Sequence, residues 1–130
     1  MKIIVTGGSG FLGENLIKRL IPISKKIYVI DKKFDSKKFL EKKIRKIKCD
    51  LSNSKTLNKK FRNINKVDFV IHTAAVQPFK KDDTIEKYLK TNLIGSLNLA
   101  HGAIKAGVRR FVGIGSCLEY DTSAGYLSVD

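Results

Sequence analysis

Apolar positions follow two rhythms along this chain. Lys2–Thr6 (KIIVT), Lys26–Ile30 (KIYVI), Ile44–Lys48 (IRKIK), Val67–His72 (VDFVIH) and Arg110–Gly115 (RFVGIG) are short runs rich in β-branched residues, and they predict five strands. Between them the period lengthens to that of a helix. Leu12, Leu16, Ile17 and Leu20 share one helical face, which ends before Pro22 because proline cannot continue it. Ser52 is placed to cap a helix through about Phe61. Asp83 is placed to cap a long helix from Thr84 to Ala106, with Tyr88, Leu89, Leu93, Leu97, Ala100 and Ile104 on its buried side and Gly107 just past its end. Asp35–Lys43 predicts at most a short helix, Thr73–Pro78 a loop, and Ser116–Asp130 irregular chain. Strands alternating with helices predict an α/β fold, a doubly wound parallel sheet. Right-handed crossovers order it 3-2-1-4-5, ending after the fifth strand.

The turn after the first strand carries the chemistry. Gly7, Gly8, Gly10 and Gly13 stand between strand and helix, and both Gly8-x-Gly10-x-x-Gly13 and Gly7-x-x-Gly10-x-x-Gly13 fit the dinucleotide fingerprint. The early glycines permit a tight turn, Gly10 lets the backbone approach a pyrophosphate, and Gly13 lets the helix lie close on the strand. Backbone N–H groups near Phe11 and Leu12 then meet a diphosphate at the positive end of the helix. This is a Rossmann-type arrangement, with its ligand across the carboxyl ends of the strands near the first and fourth.

Asp31 ends the second strand, where its carboxylate can accept from both hydroxyls of an adenosine ribose. The same charge repels a 2′-phosphate, so NAD is favoured over NADP, although Lys32 and Lys33 stand next to it. Asp50 can accept from the adenine amino group, and Leu51 can line the base. Ala74 and Ala75, closing the fourth strand, let the backbone pass close to a cofactor. Asn92, inside the long helix with Gly95 and Ser96 following, reads as a buried amide that needs a partner. Ser116 ends the fifth strand, where a hydroxyl can hold a substrate oxygen. Cys49 reads as a small buried hydrophobe, and neither His72 nor His101 has metal-ligand spacing around it.

Composition changes this picture in one respect. A net charge of +14 is concentrated between Lys32 and Lys66. A basic face for RNA is one reading, but aromatics are not interleaved with the lysines, so solvated helix faces are the preferred one. With 130 residues and no repeat or linker, the chain predicts one domain. Two cysteines suggest no disulfide framework, no run is apolar enough to span a bilayer, and no signal peptide is expected, all of which point to the cytoplasm.

Together these motifs resemble the NAD-dependent epimerase/dehydratase family, the extended short-chain dehydrogenase/reductases. The resemblance rests on TGGSGFLG at Thr6–Gly13, on Asp31, and on Cys49-Asp50-Leu51 and His72-Thr73-Ala74-Ala75. Asn92-Leu93-Ile94-Gly95-Ser96 and Ile114-Gly115-Ser116-Cys117-Leu118-Glu119-Tyr120 complete it. It implies an NAD-binding domain of an epimerase or reductase acting on a nucleotide sugar, homodimeric at full length, with Ser116 assisting a catalytic tyrosine. The family's Tyr-x-x-x-Lys pair, which should follow the fifth strand after a longer loop, is missing there. Tyr126 is followed four residues on by Asp130, and Tyr120 matches a different tyrosine. The resemblance therefore implies the N-terminal part of a longer enzyme, inactive as it stands. Cys117 and Leu118 replace the Asp-Glu that the family's 4,6-dehydratases carry, which disfavours a dehydratase. The rival class is a non-catalytic Rossmann module whose basic surface holds RNA or a protein partner.

Overall fold

The computed structural model describes residues 1–76 and 84–115. Five parallel strands, β1 (Lys2–Thr6), β2 (Lys26–Asp31), β3 (Ile44–Lys48), β4 (Phe69–His72) and β5 (Arg110–Gly113), form one sheet in the order β3-β2-β1-β4-β5. Side chains alternate between its two faces, as a period of two requires. Ile3, Val5, Ile27 and Val29 meet Ile17 of helix α1 (Phe11–Leu20) on one side. Ile4, Tyr28, Ile30 and Val70 meet Leu57 and Phe61 of helix α2 (Ser54–Phe61), with Leu99 and Ala103, on the other. Burial on both faces explains why β1 and β2 are apolar without interruption.

Several boundaries differ from the sequence expectation. Asn53, not Ser52, caps α2, accepting from the Thr56 N–H at 2.9 Å, because Ser52 is already turned onto Asp50. Segment 35–43 forms turns rather than a helix. It is pinned by lysines, with Lys43 Nζ donating to the Ile21 carbonyl at 2.9 Å and Lys46 Nζ to the Lys38 carbonyl at 2.7 Å. Asp83 lies outside the described residues, and Thr84 caps the helical segment that follows.

That segment is not one α-helix. A single turn, α3 (Ile85–Tyr88), passes into a π-helical stretch, Leu89–Ile94, and then into α4 (Gly95–Lys105). Helix α4 closes with the Val108 N–H on the Ala103 carbonyl and the Gly107 N–H on the Ile104 carbonyl, both at 3.0 Å, which is a Schellman ending. Its buried face is the opposite of the expected one. Thr91, Gly95, Leu99, Gly102 and Ala103 face inward, whereas Leu89, Leu93, Leu97 and Ile104 are exposed. Small residues decide this. A Cβ on Gly95 would stand 3.1 Å from Leu51 Cβ, tighter than ordinary contact, and one on Gly102 would already touch the Phe61 ring at 3.5 Å, so this small-residue face lies closer to α2 and the β3 loop than a leucine face could.

Two truncations in the same helix test the burial. Leu99→Ala is expected to cost about 2–5 kcal/mol of unfolding free energy, and Leu97→Ala less than about 0.5 kcal/mol. Urea denaturation measures both, and the reverse ranking would show that the helix buries its other face.

Candidate functional site

A crevice of about 350 Å³ opens where β1, β2 and β4 end, at the point where the strand order reverses. Gly7, Gly10, Asp31, Leu51, Ala74 and Ala75, all singled out from the sequence, line it. Gly7 takes φ +68°, and a Cβ there would lie 2.7 Å from both Cα and N of Ala74. Gly13 is buried beneath the turn, where a Cβ would lie 2.3 Å from the Gly7 carbonyl oxygen. Two backbones thus meet at a distance that no side chain permits. Helix α1 begins at Gly10 without a side-chain cap, so its first-turn N–H groups are left to other acceptors. Phe11, 89% exposed, and Leu12 contribute no side chain to the crevice; what they can offer is their backbone N–H.

Asp31 reaches back to the turn. Its Oδ2 accepts from the Ser9 N–H at 2.9 Å and its Oδ1 from the Lys33 N–H at 3.3 Å. Asp50 sits at the neighbouring cavity, which it shares with Lys32 and Thr91. Burial pushes its carboxyl up, but the Ser52 N–H and Oγ at 2.9 and 2.8 Å and the Lys32 ammonium at 3.2 Å outweigh this and hold it below the ordinary range. Buried Cys49 is a free thiol, pushed up first by burial and then by Asp50, so it stays protonated. Ser116, like Cys117, Tyr120 and Tyr126, lies outside the described residues.

Asn92 is exposed rather than buried, and it does not line the crevice. It clamps the loop after β4 instead, its Oδ1 accepting from the Val76 N–H at 2.8 Å and its Nδ2 donating to the Val76 carbonyl at 3.0 Å. The π-helical stretch that carries it is a rare conformation, frequent at functional sites. Behind it runs a polar chain. Ser96 Oγ donates to the Asn92 carbonyl at 2.6 Å and so accepts from His72 Nε2–H at 2.8 Å. His72 Nδ1 is then the acceptor for the Thr6 hydroxyl at 2.6 Å. The imidazole is a neutral structural link, and burial holds its pKa below the ordinary value.

Sequence reasoning quoted Ser9 and Thr73 only as parts of motifs and gave no site role to them or to Val76 and Thr91, all of which line the crevice. Ser9 lies inside the glycine turn and was within reach of the motif. Thr91 falls on the inward face four residues before Gly95 and eight before Leu99, a face the sequence reasoning did not choose. Among the described residues no group of His, Cys, Asp or Glu gathers as metal ligands, and no helix is long and apolar enough to cross a membrane.

The NAD dependent epimerase/dehydratase family profile matches residues 3–128. An uncharacterized membrane protein of Methanocaldococcus jannaschii is 33% identical over 117 residues, 86% of this chain and 35% of its own length. The UDP-glucose 4-epimerase of Pasteurella multocida is 31% identical over 131 residues, 92% of this chain and 38% of its own. The crystal structure of the Bordetella bronchiseptica enzyme WbmG in complex with NAD superposes with a TM-score of 0.79 at 31% identity, over 91% of this chain and 38% of that one. The chain thus spans little more than a third of the length of these relatives.

The state of His72 sets a pH dependence. Its pKa is lower folded than unfolded, so the unfolded chain binds more protons in the window between the two values. Its contribution is fully present above the unfolded value of about 6.5 and is lost as pH falls through the folded value. In His72→Gln, which can keep a donor to Ser96 without titrating, the loss of stability between pH 7.5 and pH 5 should shrink. Urea midpoints at the two values measure it, and an unchanged loss would place the titration elsewhere.

Proposed function

The chain belongs to the NAD-dependent epimerase/dehydratase family, and from that premise we propose that residues 1–130 are the NAD-binding Rossmann domain of a longer enzyme. That enzyme epimerises or reduces a nucleotide sugar by hydride transfer at a sugar carbon. The observation that carries the reading is the crevice itself. It joins a glycine turn with no room for a Cβ, an uncapped helix start, and a carboxylate at the end of β2. These features fit a dinucleotide. Backbone N–H groups near Phe11 and Leu12 hold the diphosphate, Gly7 and Gly10 let it approach, and Gly13 keeps α1 close enough for them to do so. Asp31 takes the ribose hydroxyls, Asp50 and Leu51 the adenine, and Ala74 and Ala75 leave space for the cofactor. Asn92 fixes the loop that passes beside it. When bound, NAD supplies a carrier that takes a hydride from a substrate carbon and returns it.

The substrate class is supported by the relatives, since WbmG has also been solved in complex with NAD and UDP and the Pasteurella enzyme is a UDP-glucose 4-epimerase. Within residues 1–130, Ser116 has the assisting role only. A lone serine hydroxyl is not an acid/base at neutral pH, and no Tyr-x-x-x-Lys pair stands between the fifth strand and Asp130 to activate it; Tyr28 and Lys32 have that spacing, but Tyr28 is buried in β2. The free thiol of Cys49 suits a reducing cytoplasm, and the full-length enzyme is read as a homodimer.

Calorimetric titration of the chain with NAD and NADP tests this reading. NAD should bind more tightly than NADP, and Asp31→Ala should weaken NAD at least about tenfold, the loss of one or two charge-assisted hydrogen bonds. Incubation with NAD and a panel of UDP-sugars should give no turnover above background. Tighter NADP binding would reverse the role given to Asp31. Binding of RNA with a steep salt dependence and no dinucleotide affinity would favour the rival class.

A further inference from the structure

Two lysines follow Asp31 on the rim of the crevice, and they are held in different ways. Lys33 meets its neighbours through its backbone, donating its N–H to Asp31 and accepting from Ser9 Oγ at 2.7 Å. Lys32 is held by its ammonium. Its Nζ lies 3.2 Å from Asp50 Oδ2 and 3.4 Å from Thr91 Oγ1. Asp50 is oriented for this, because both hydrogen bonds from Ser52 fall on Oδ1 and leave Oδ2 to the ammonium. Thr91 is buried on the π-helical stretch, so the Lys32 ammonium bridges the end of β3 and that stretch.

A cation just after the β2 carboxylate is the group that would neutralise a phosphate on the ribose 2′-oxygen. We propose that Asp50 is a coenzyme-specificity residue that acts through Lys32. By engaging the ammonium it withholds that charge from a 2′-phosphate and leaves Asp31 to select the free hydroxyls of NAD. The proposal rests on the NAD-binding reading above. The sequence alone left Lys32 as a group that could undo the preference set by Asp31; the tether resolves that conflict. Both side chains are nearly half exposed, 46% for Lys32 and 45% for Asp50, so the restraint is modest, a factor of about five at most.

The experiment compares NAD and NADP binding to the chain, by calorimetry, for the wild type and for D50N, K32Q, D50N/K32Q and D50N/K33Q. In D50N the affinity for NADP relative to NAD should rise by up to about fivefold. D50N/K32Q should lose that gain, and D50N/K33Q should keep it. K32Q alone should leave the ratio unchanged, because in the wild type this ammonium is already withheld. An unmoved ratio in D50N overturns the proposal. So does a gain that survives K32Q, which would reflect only the removal of a negative charge, or a K32Q variant that weakens NADP in the wild-type background. A wild type that binds NAD while D50N leaves the ratio unmoved would sink the tether alone. A wild type that binds neither dinucleotide would sink the NAD reading with it.

Discussion

Close backbone approach at the glycine turn is the constraint on which the rest of the site depends. Gly13 lies against the Gly7 carbonyl, and Gly7 lies against Ala74, at separations a single methyl group would abolish. Three things follow from that contact. Helix α1 starts directly over the end of β1, so the positive end of its dipole faces the crevice. The turn is brought onto the loop after β4, which gives the crevice its floor. Ser9 is also held where its N–H can reach the Asp31 carboxylate, so β2 is joined to the turn by a charge-assisted bond at 2.9 Å.

The far wall depends on a different kind of contact. A polar chain leads from Thr6 on β1 through His72 on β4 to Ser96, ending at the Asn92 carbonyl, and the Asn92 side chain holds Val76. Thr6 and His72 are buried, so each polar atom along it needs its partner, and removing one leaves another unsatisfied. The sheet core and the crevice loop are therefore joined through hydrogen bonds whose roles are fixed in sequence, each donor setting the next acceptor.

Charge is arranged with the same economy. The basic stretch after β2 looked in sequence like a surface of free lysines. In the fold Lys38 pairs with Glu14, Lys43 donates to the Ile21 carbonyl at the end of α1, Lys46 donates to the Lys38 carbonyl of a segment that has no regular structure, and Lys32 is shared by Asp50 and Thr91. Lys38 and Lys43 tie the loop to α1 and Lys46 ties it to β3, in place of the backbone hydrogen bonds a helix would have supplied.

Local physics made much of this protein legible without coordinates. The β-branched runs locate the strands, because a buried strand needs apolar residues on both faces, and the alternation with helices orders the sheet. The glycine spacing and Asp31 mark the crevice, because the conformation and close approach they permit are properties of single residues. The sequence could not choose the inner face of the helix after Thr84, since apolar residues occur all round it. The stripe with the larger side chains, Leu89, Leu93, Leu97 and Ile104, was the stronger pattern, yet it is the exposed one. Packing decided otherwise, because Gly95, Gly102 and Ala103 allow an approach to Leu51 and Phe61 that leucines would block. Thr91 in the crevice wall, the Asn92 clamp and the Lys32–Asp50 pair have the same origin. Each joins residues from separate elements, and only tertiary structure brings such residues within bonding distance.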